Sequence, residues 1–177
     1  MDESKKNLAQ RLKIPEINFP KDIFTFYLSH PFVSRKHVRE WELGFEARHP
    51  GIALINPFYD VDGEGRKDVQ ARDEGREFVH TAGYQWRLCR RDLIAIGFSR
   101  GILGIVDENT DRSIGTHMEF VYGRMLSCNP KLLICTNSSM NEHPWLMTHF
   151  HGIYDSFEKF EEDVEERVAH VKKKWGF

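Results

Sequence analysis

A strand followed by a polar loop and a helix, in residues 101–126, constrains the fold of this chain more than any other feature. The run Gly101–Val106, GILGIV, is apolar throughout, which is typical of a strand buried on both faces of a sheet. Helical spacing follows the loop and continues to Leu126. A strand, a loop and a helix in this order form half of a βαβ unit, so they predict a parallel sheet.

Other segments repeat this alternation over most of the 177 residues. The other predicted strands are residues 23–28, 51–55, 131–136 and 151–154, and the other predicted helices follow Ser34, span 79–96 and begin near Asp155. The alternation predicts an α/β three-layer sandwich of the flavodoxin-like (Rossmann-like) type, with a mostly parallel five-stranded sheet. We expect a leader over residues 1–20 and a single domain over residues 21–177.

The remaining segments are predicted to be loops, and each helix is predicted to bury one apolar stripe. Residues 61–75 are charged and contain glycines, which is typical of a mobile loop, and residues 137–150 are predicted to be irregular. The predicted stripes are Val38, Trp41 and Phe45; then Val79, Ala82, Trp86, Cys89, Leu93 and Ile96; then Phe157, Phe160, Val164, Val168, Val171 and Trp175. Arg87, Arg90 and Arg91 are interpreted as a solvated face.

Composition and charge argue against several classes of partner. The net charge of −2 favours neither a nucleic-acid surface nor a membrane surface. No apolar run approaches the roughly 18 residues of a membrane-spanning helix, and the charged amino end lacks a signal-peptide core, so we expect a cytoplasmic protein. Cys89, Cys128 and Cys135 lack metal-type pair spacing and are expected to be buried thiols in a reducing compartment.

Motifs for cofactors and metals are weak in this sequence. The glycines of residues 63–67 and 101–104 do not form a phosphate-binding loop between a strand and a helix, so we expect no cofactor. His143, His149 and His151 lack a further ligand at a recognisable spacing, so they are interpreted as ordinary loop histidines, with no metal site.

Carboxylates near the ends of predicted strands are the remaining chemical signal. They are Asp60, Asp92, Asp107, Asp111 and Glu119. Glu119 falls in the first turns of a helix, where the helix dipole stabilises its charge, so it is either an ionised nucleophile or a solvated glutamate. Asp92 opposes the dipole of its own helix beside an apolar stripe, which favours a functional role. Carboxylates paired with a tyrosine are suited to glycosidic-bond chemistry.

Four segments in order resemble the nucleoside 2-deoxyribosyltransferases and the related nucleotide N-glycosidases. They are residues 27–32 (YLSHPF), 56–60 (NPFYD), 91–96 (RDLIAI) and 113–123 (SIGTHMEFVYG). The resemblance implies that Glu119 attacks C1′ of the sugar, that Tyr27 orients Glu119 and that Asp92 protonates the departing base. It also implies that the substrate, a nucleoside or nucleotide, is bound by Ser29, His30, Pro31, Phe32, Asp60, Ser113, Gly115, Trp145 and Met147. The Leu146-Met147 pair resembles one that the family contributes to a neighbouring subunit, which implies at least a homodimer.

Departures from the family pattern leave the substrate open. Ser113 stands where deoxyribosyltransferases have aspartate and monophosphate hydrolases have serine. A serine hydroxyl can donate a hydrogen bond to a phosphate, which favours a nucleotide substrate. The basic phosphate loop of those hydrolases is replaced here by Pro31, Phe32 and Val33, with Arg35, Lys36 or Arg112 as possible substitutes. Both a nucleoside and a 5′-monophosphate therefore fit the sequence.

The sequence also fits two alternatives to the transferase. His30 stands at a common glycine position and Trp145 at an asparagine or serine position, which motivates a non-catalytic nucleotide-binding module. A further and weaker alternative is an NAD glycohydrolase, because such enzymes also place a glutamate beside a flavodoxin-like sheet. Asp60 also has a purely structural interpretation, as a turn residue after Pro57.

Overall fold

A five-stranded parallel sheet forms the centre of the protein. The computed structural model describes residues 22–60, 64–110, 113–126 and 130–176. Its strands are β1 (Phe24–Ser29), β2 (Ile52–Ile55), β3 (Gly101–Val106), β4 (Lys131–Cys135) and β5 (Gly152–Tyr154). They are ordered β2-β1-β3-β4-β5, and every neighbouring pair is parallel. The predicted flavodoxin-like fold is confirmed, whereas the predicted leader lies outside the described residues.

Helices cover both faces of this sheet. They are α1 (Arg35–Arg48), α2 (Glu64–Asp73), α3 (Tyr84–Phe98), α4 (Ile114–Met125), α5 (Pro144–His149) and α6 (Phe157–Trp175), and a 3₁₀ turn over Phe32–Ser34 precedes α1. The packing of α1 and α6 buries one face of the sheet, and that of α3 and α4 buries the other. None of the helices in the described part of the chain is long and apolar enough to cross a membrane.

The side chains of β1 alternate between the two helical layers that cover the sheet. Phe24, Phe26 and Leu28 point towards α1 and α6 and join the larger core cluster. Tyr27 points the other way and packs with the α3 and α4 layer, and Ser29 shares that direction because it lies two residues further on. Two polar hydroxyl groups therefore reach the α4 side of the sheet at the carboxyl end of β1.

Two glycines bring α4 close to the sheet. A Cβ atom on Gly104 of β3 would lie 2.8 Å from the ring of Phe120, and one on Gly123 of α4 would lie 2.8 Å from Cδ1 of Ile102. Because Cβ atoms are absent at both positions, the helix packs directly on the strand. This close packing fixes the position of Glu119, which immediately precedes Phe120.

The charged segment after β2 corrects one prediction. Residues 64–73 of the predicted loop form α2, and its Val69 and Ala71 are buried. The phenolic hydroxyl of Tyr84 donates to Asp68 (2.8 Å), so α3 supplies contacts that favour this helix. Such tertiary contacts are invisible in a local pattern rich in charge and glycine. Likewise, part of the predicted loop at 137–150 forms α5, with Pro144 at its first turn.

The predicted apolar stripe of α3 is confirmed only at its carboxyl-terminal end, where Leu93 and Ile96 pack on the core. The helix begins at Tyr84, and Val79, Trp86 and Cys89 are exposed, so the predicted core role of Trp86 and the predicted burial of the Cys89 thiol are wrong. Its buried residues are Tyr84, Ala95 and Ile96. In α6 the predicted stripe is confirmed except at Trp175, which is exposed beyond the end of the sheet contacts.

Candidate active site

Glu119 on α4 is held by two hydroxyl groups of β1. The Tyr27 hydroxyl donates to Oε1 of Glu119 (2.8 Å), and the Ser29 hydroxyl donates to Oε2 (2.5 Å). Tyr27 and Ser29 are fully buried, and Glu119 is half-buried. Both carboxylate oxygens thus have a donor, and the carboxylate is oriented at the carboxyl edge of the sheet, where open α/β sheets bind ligands.

Asp92 and Arg91 on α3 form an ion pair beside Glu119. Two guanidinium nitrogens of Arg91, Nε and Nη2, donate to Oδ1 of Asp92 at 2.8 and 2.6 Å. The Arg91 side chain is only 10% exposed, so its predicted place on a solvated face is wrong. Helix α2 covers this part of α3, and the burial of Arg91 that results cannot be predicted from the local charge pattern of α3.

Burial sets the protonation of the two carboxyl groups. It raises the pKa of Glu119 to about 8; the nearby Asp92 raises it too, whereas the hydroxyls of Ser29 and Tyr27 oppose the shift. Burial also raises the pKa of Asp92 to about 6, against the effect of the Arg91 guanidinium. Two close carboxyl groups titrate as a pair, so between these values the pair holds one proton. Because the pKa of Glu119 is the higher one, that proton lies mainly on Glu119 in the free protein, and the form with an ionised Glu119 and a protonated Asp92 is the minor one. In that minor form Glu119 can act as a nucleophile while Asp92 acts as an acid.

The loop after β1 separates His30 from Phe32. His30 is buried, with Nδ1 3.1 Å from the Pro31 carbonyl oxygen and its ring edge-on to Phe58 at 5.0 Å. Burial lowers the pKa of His30 to about 4, so the imidazole is neutral at physiological pH. Phe32 is half-buried and carries the Arg35 guanidinium over its ring at 4.1 Å. Of this loop, Phe32 rather than His30 presents a face to an open cavity.

Asp60 is part of a polar network with Asn56, Arg39 and the buried Glu42. Its Oδ2 accepts from the backbone N–H of Asn56 (2.9 Å), and its Oδ1 accepts from Arg39 (2.9 Å). The same Arg39 donates to Glu42 (2.8 Å), which is fully buried and also accepts from the Asn56 amide (2.7 Å). These contacts agree with the turn interpretation of Asp60. Glu42 was not singled out in the sequence, because a glutamate on a charged helix gives no signal of burial.

The remaining candidate residues lie near the amino ends of α4 and α5. The Ser113 hydroxyl is 2.7 Å from that of Thr116, and Gly115 is exposed, with open space where a Cβ atom would lie. Trp145 and Met147 on α5 are exposed. Across the described residues, no group of three or more His, Cys, Asp or Glu side chains is arranged to hold a metal ion.

Comparison with known proteins adds a structural relative. No protein-family model matches the chain, and no curated protein matches its sequence. A solved 2-deoxyribosyltransferase from the psychrotolerant bacterium Bacillus psychrosaccharolyticus superposes with a TM-score of 0.53 and 23% sequence identity, covering 77% of this chain and 90% of that chain. This chain has a 2-deoxyribosyltransferase-like fold. The deoxyribosyltransferase-like fold is the one that the four sequence segments implied, and the residue roles that they implied stay predictions.

Proposed function

We propose that the protein cleaves the N-glycosidic bond of a 2′-deoxynucleoside and transfers the deoxyribosyl group to another base. The observation that carries this proposal is the Glu119 carboxylate, held by Tyr27 and Ser29 beside the acidic group of Asp92. A nucleophilic carboxylate next to a carboxylic acid is the pair that glycosidic-bond exchange requires. The deoxyribosyltransferase-like fold supports the same chemistry.

The reaction has two displacements at C1′ of the sugar. One oxygen of Glu119 bonds to C1′ while the C1′–N bond breaks, its electron pair stays on the base, and Asp92 gives that base a proton. The product is a deoxyribosyl ester of Glu119. An incoming base then bonds to C1′ through nitrogen, the ester oxygen leaves, and Asp92 recovers a proton from the incoming base.

Tyr27 and Ser29 position the nucleophile and moderate its charge. Their two hydroxyl donors favour the ionised form of Glu119, and they fix the direction of its free lone pairs. Burial raises the pKa of Tyr27 well above its usual value, so Tyr27 stays a neutral donor throughout the working pH range. Neither side chain needs to exchange a proton with the substrate.

Ser113 favours a second candidate, the hydrolysis of deoxynucleoside 5′-monophosphates. Its hydroxyl lies at the amino end of α4, where backbone N–H groups and the helix dipole attract anions. Unlike an aspartate at this position, Ser113 has no negative charge that would repel a phosphate. In this reaction water replaces the incoming base in the second displacement.

One chromatographic assay distinguishes these functions. One tube contains a 2′-deoxynucleoside and a different free base, and another contains deoxynucleoside 5′-monophosphates alone. A new deoxynucleoside in the first tube supports transfer, and free base in the second tube alone supports the hydrolase. If both tubes stay unchanged while a deoxynucleotide binds, the protein is a non-catalytic binding module and both enzymatic proposals are wrong.

A bell-shaped pH dependence is expected for the transfer. Below pH 6 both Asp92 and Glu119 are protonated, so no nucleophile is present; above pH 8 both are ionised, so no acid is present. The rate kcat/KM should therefore peak between about 6 and about 8 and fall about tenfold per pH unit on each side. A rate that is constant from pH 5 to 9 would contradict the shared proton.

We also propose a homodimer that covers one exposed apolar face. This face consists of Ile114, Met118, Val121 and Met125 on α4 and Trp145 and Met147 on α5. The four α4 residues repeat at helical spacing, so they form one stripe along the helix. The deoxyribosyltransferase resemblance, in which the neighbouring subunit contributes the Leu-Met pair to the site, selects a second copy as the partner.

Light scattering coupled to size exclusion tests the dimer. Met118→Glu should convert a wild-type dimer to a monomer, because burying an unpaired charge in an apolar interface is unfavourable. Leu43→Glu is the matched control: it introduces the same charge at an exposed apolar residue on α1, and it should leave the size unchanged. A monomeric wild type would refute the proposal.

A further inference from the structure

A cavity of about 320 Å³ lies between α2, α3 and the loop after β1. This volume is at the lower end of the roughly 300–1,000 Å³ range of small-molecule sites. Phe32 and Phe58 form an aromatic wall with their rings edge-on at 5.4 Å, and Leu88 and Val69 add apolar surface. A flat aromatic ligand suits such walls. Arg91 lines the same cavity, and its guanidinium donates a hydrogen bond to Asp92.

One hydrogen-bond donor of Arg91 is buried without an acceptor. Two of its nitrogens bind Asp92, whereas Nη1 is buried and has no partner in the described part of the chain. A buried cationic N–H group without an acceptor costs free energy unless a ligand supplies one. By contrast, Asp68 and Arg72 in the same cavity satisfy each other at 2.8 Å.

The absence of a side chain at Gly65 on α2 leaves room for Nη1 of Arg91. A Cβ atom there would clash with Nη1 of Arg91 and would lie 2.8 Å from Cδ1 of Leu88. The helix therefore approaches the guanidinium closely, and both Gly65 and Arg91 line the cavity. The donor is held in position on one side by α2 and on the other by the two bonds to Asp92.

We propose that this cavity receives the leaving base and that Nη1 of Arg91 donates to a carbonyl oxygen of that base, so that a 6-oxopurine is preferred to a 6-aminopurine. The proposal rests on the proposed function, which makes the ligand a nucleobase. Asp92 in its acid form and Arg91 then present two donors side by side. A 6-oxopurine has two adjacent acceptors, N7 and O6, whereas adenine places an amino donor at C6.

Binding of two nucleosides that differ at C6 tests this assignment. Titration calorimetry on Glu119→Gln, in which the nucleophile is absent, measures binding of 2′-deoxyinosine and 2′-deoxyadenosine separately from turnover. We expect deoxyinosine to bind roughly 10- to 100-fold more tightly, as good donor–acceptor pairing discriminates between bases. Adding Arg91→Met should reduce this ratio to about one, because methionine keeps the apolar stem and removes the donors.

Two further variants distinguish loss of the Arg91 hydrogen-bond donor from loss of the folded structure. Arg90→Met, at an exposed neighbouring arginine that stacks on Trp86, should leave the ratio unchanged. Gly65→Ala should also reduce the ratio, since it displaces the guanidinium while keeping every donor and a helical residue. Thermal unfolding of each variant shows whether it is folded, and if Arg91→Met is not, Gly65→Ala decides.

The outcomes distinguish this inference from the proposed function. An Arg91-dependent preference for deoxyinosine without turnover by the wild type would support the base site and reject the transferase. Turnover of both nucleosides with equal binding would support the transferase and reject the role of Arg91. The inference is also wrong if neither nucleoside binds, or if Arg91→Met keeps the wild-type preference.

Discussion

Glu119→Ala should abolish base exchange almost completely, with kcat lowered on the order of 10⁴-fold or more, as removal of a covalent nucleophile does in other enzymes. Tyr27 and Ser29 cannot replace the lost carboxylate, because both are hydroxyl donors already directed at Glu119. Intact-protein mass spectrometry after mixing with a deoxynucleoside should show a deoxyribosyl adduct in the wild type and none in the variant. Product formation is measured by chromatography.

The structure offers a control for this loss of activity. Glu108 is an exposed glutamate just beyond β3, at the same edge of the sheet, and Glu108→Ala should retain activity within about twofold. Glu119→Ala leaves the buried hydroxyls of Tyr27 and Ser29 without their acceptor, which should lower the free energy of unfolding by about 1–3 kcal/mol, so thermal unfolding checks that the variant is folded. A fully active, folded Glu119→Ala protein would refute the nucleophile assignment.

Phe160→Ala should have the largest effect on stability, lowering the free energy of unfolding by about 3–5 kcal/mol. Phe160 on α6 is fully buried, and its ring contacts those of Phe45 on α1 and Tyr154 on β5 at centroid distances of 5.6 and 5.5 Å. Truncation removes buried apolar surface and leaves a cavity where α1, α6 and the sheet meet. Urea unfolding followed by circular dichroism measures the change.

Trp175→Ala is the matched control on the same helix. Trp175 is exposed at the end of α6, and its truncation should change the free energy of unfolding by no more than about 0.5 kcal/mol. A loss below about 1 kcal/mol for Phe160→Ala would mean that α6 adds little to the core, contrary to the contacts that it makes.

The strands and the last helix were predictable because their signals are local. A strand buried on both faces needs an unbroken apolar run, and the runs at β3 and β4 contain little else. Helix α6 buries a complete stripe, and the Ser156 hydroxyl accepts from the backbone N–H of Lys159, as an N-cap does. The parallel order then follows from the alternation of strands and helices, since each crossover returns the chain in the same direction.

Helix α2 and the burial pattern in the amino-terminal part of α3 were not predictable, because tertiary contacts outweigh local propensity there. Glycine and charge in α2 indicate a loop, yet the hydroxyl of Tyr84 on α3 bonds to Asp68, and Val69 packs inwards. Arg91 follows the same principle: its neighbour Arg90 is solvated, and only the position of α2 decides that Arg91 is buried. Sequence periodicity cannot record which helix covers which face.

The sequence by itself determined the number of strands, their parallel direction and the residue types available at the carboxyl edge of the sheet, because periodicity and chain connectivity are properties of the chain. Only the tertiary structure decided that Glu119 receives both hydroxyls and that Asp92 is paired with Arg91. The reason is physical: hydrogen bonds and burial depend on distances between elements, and those distances are set by how the helices pack on the sheet.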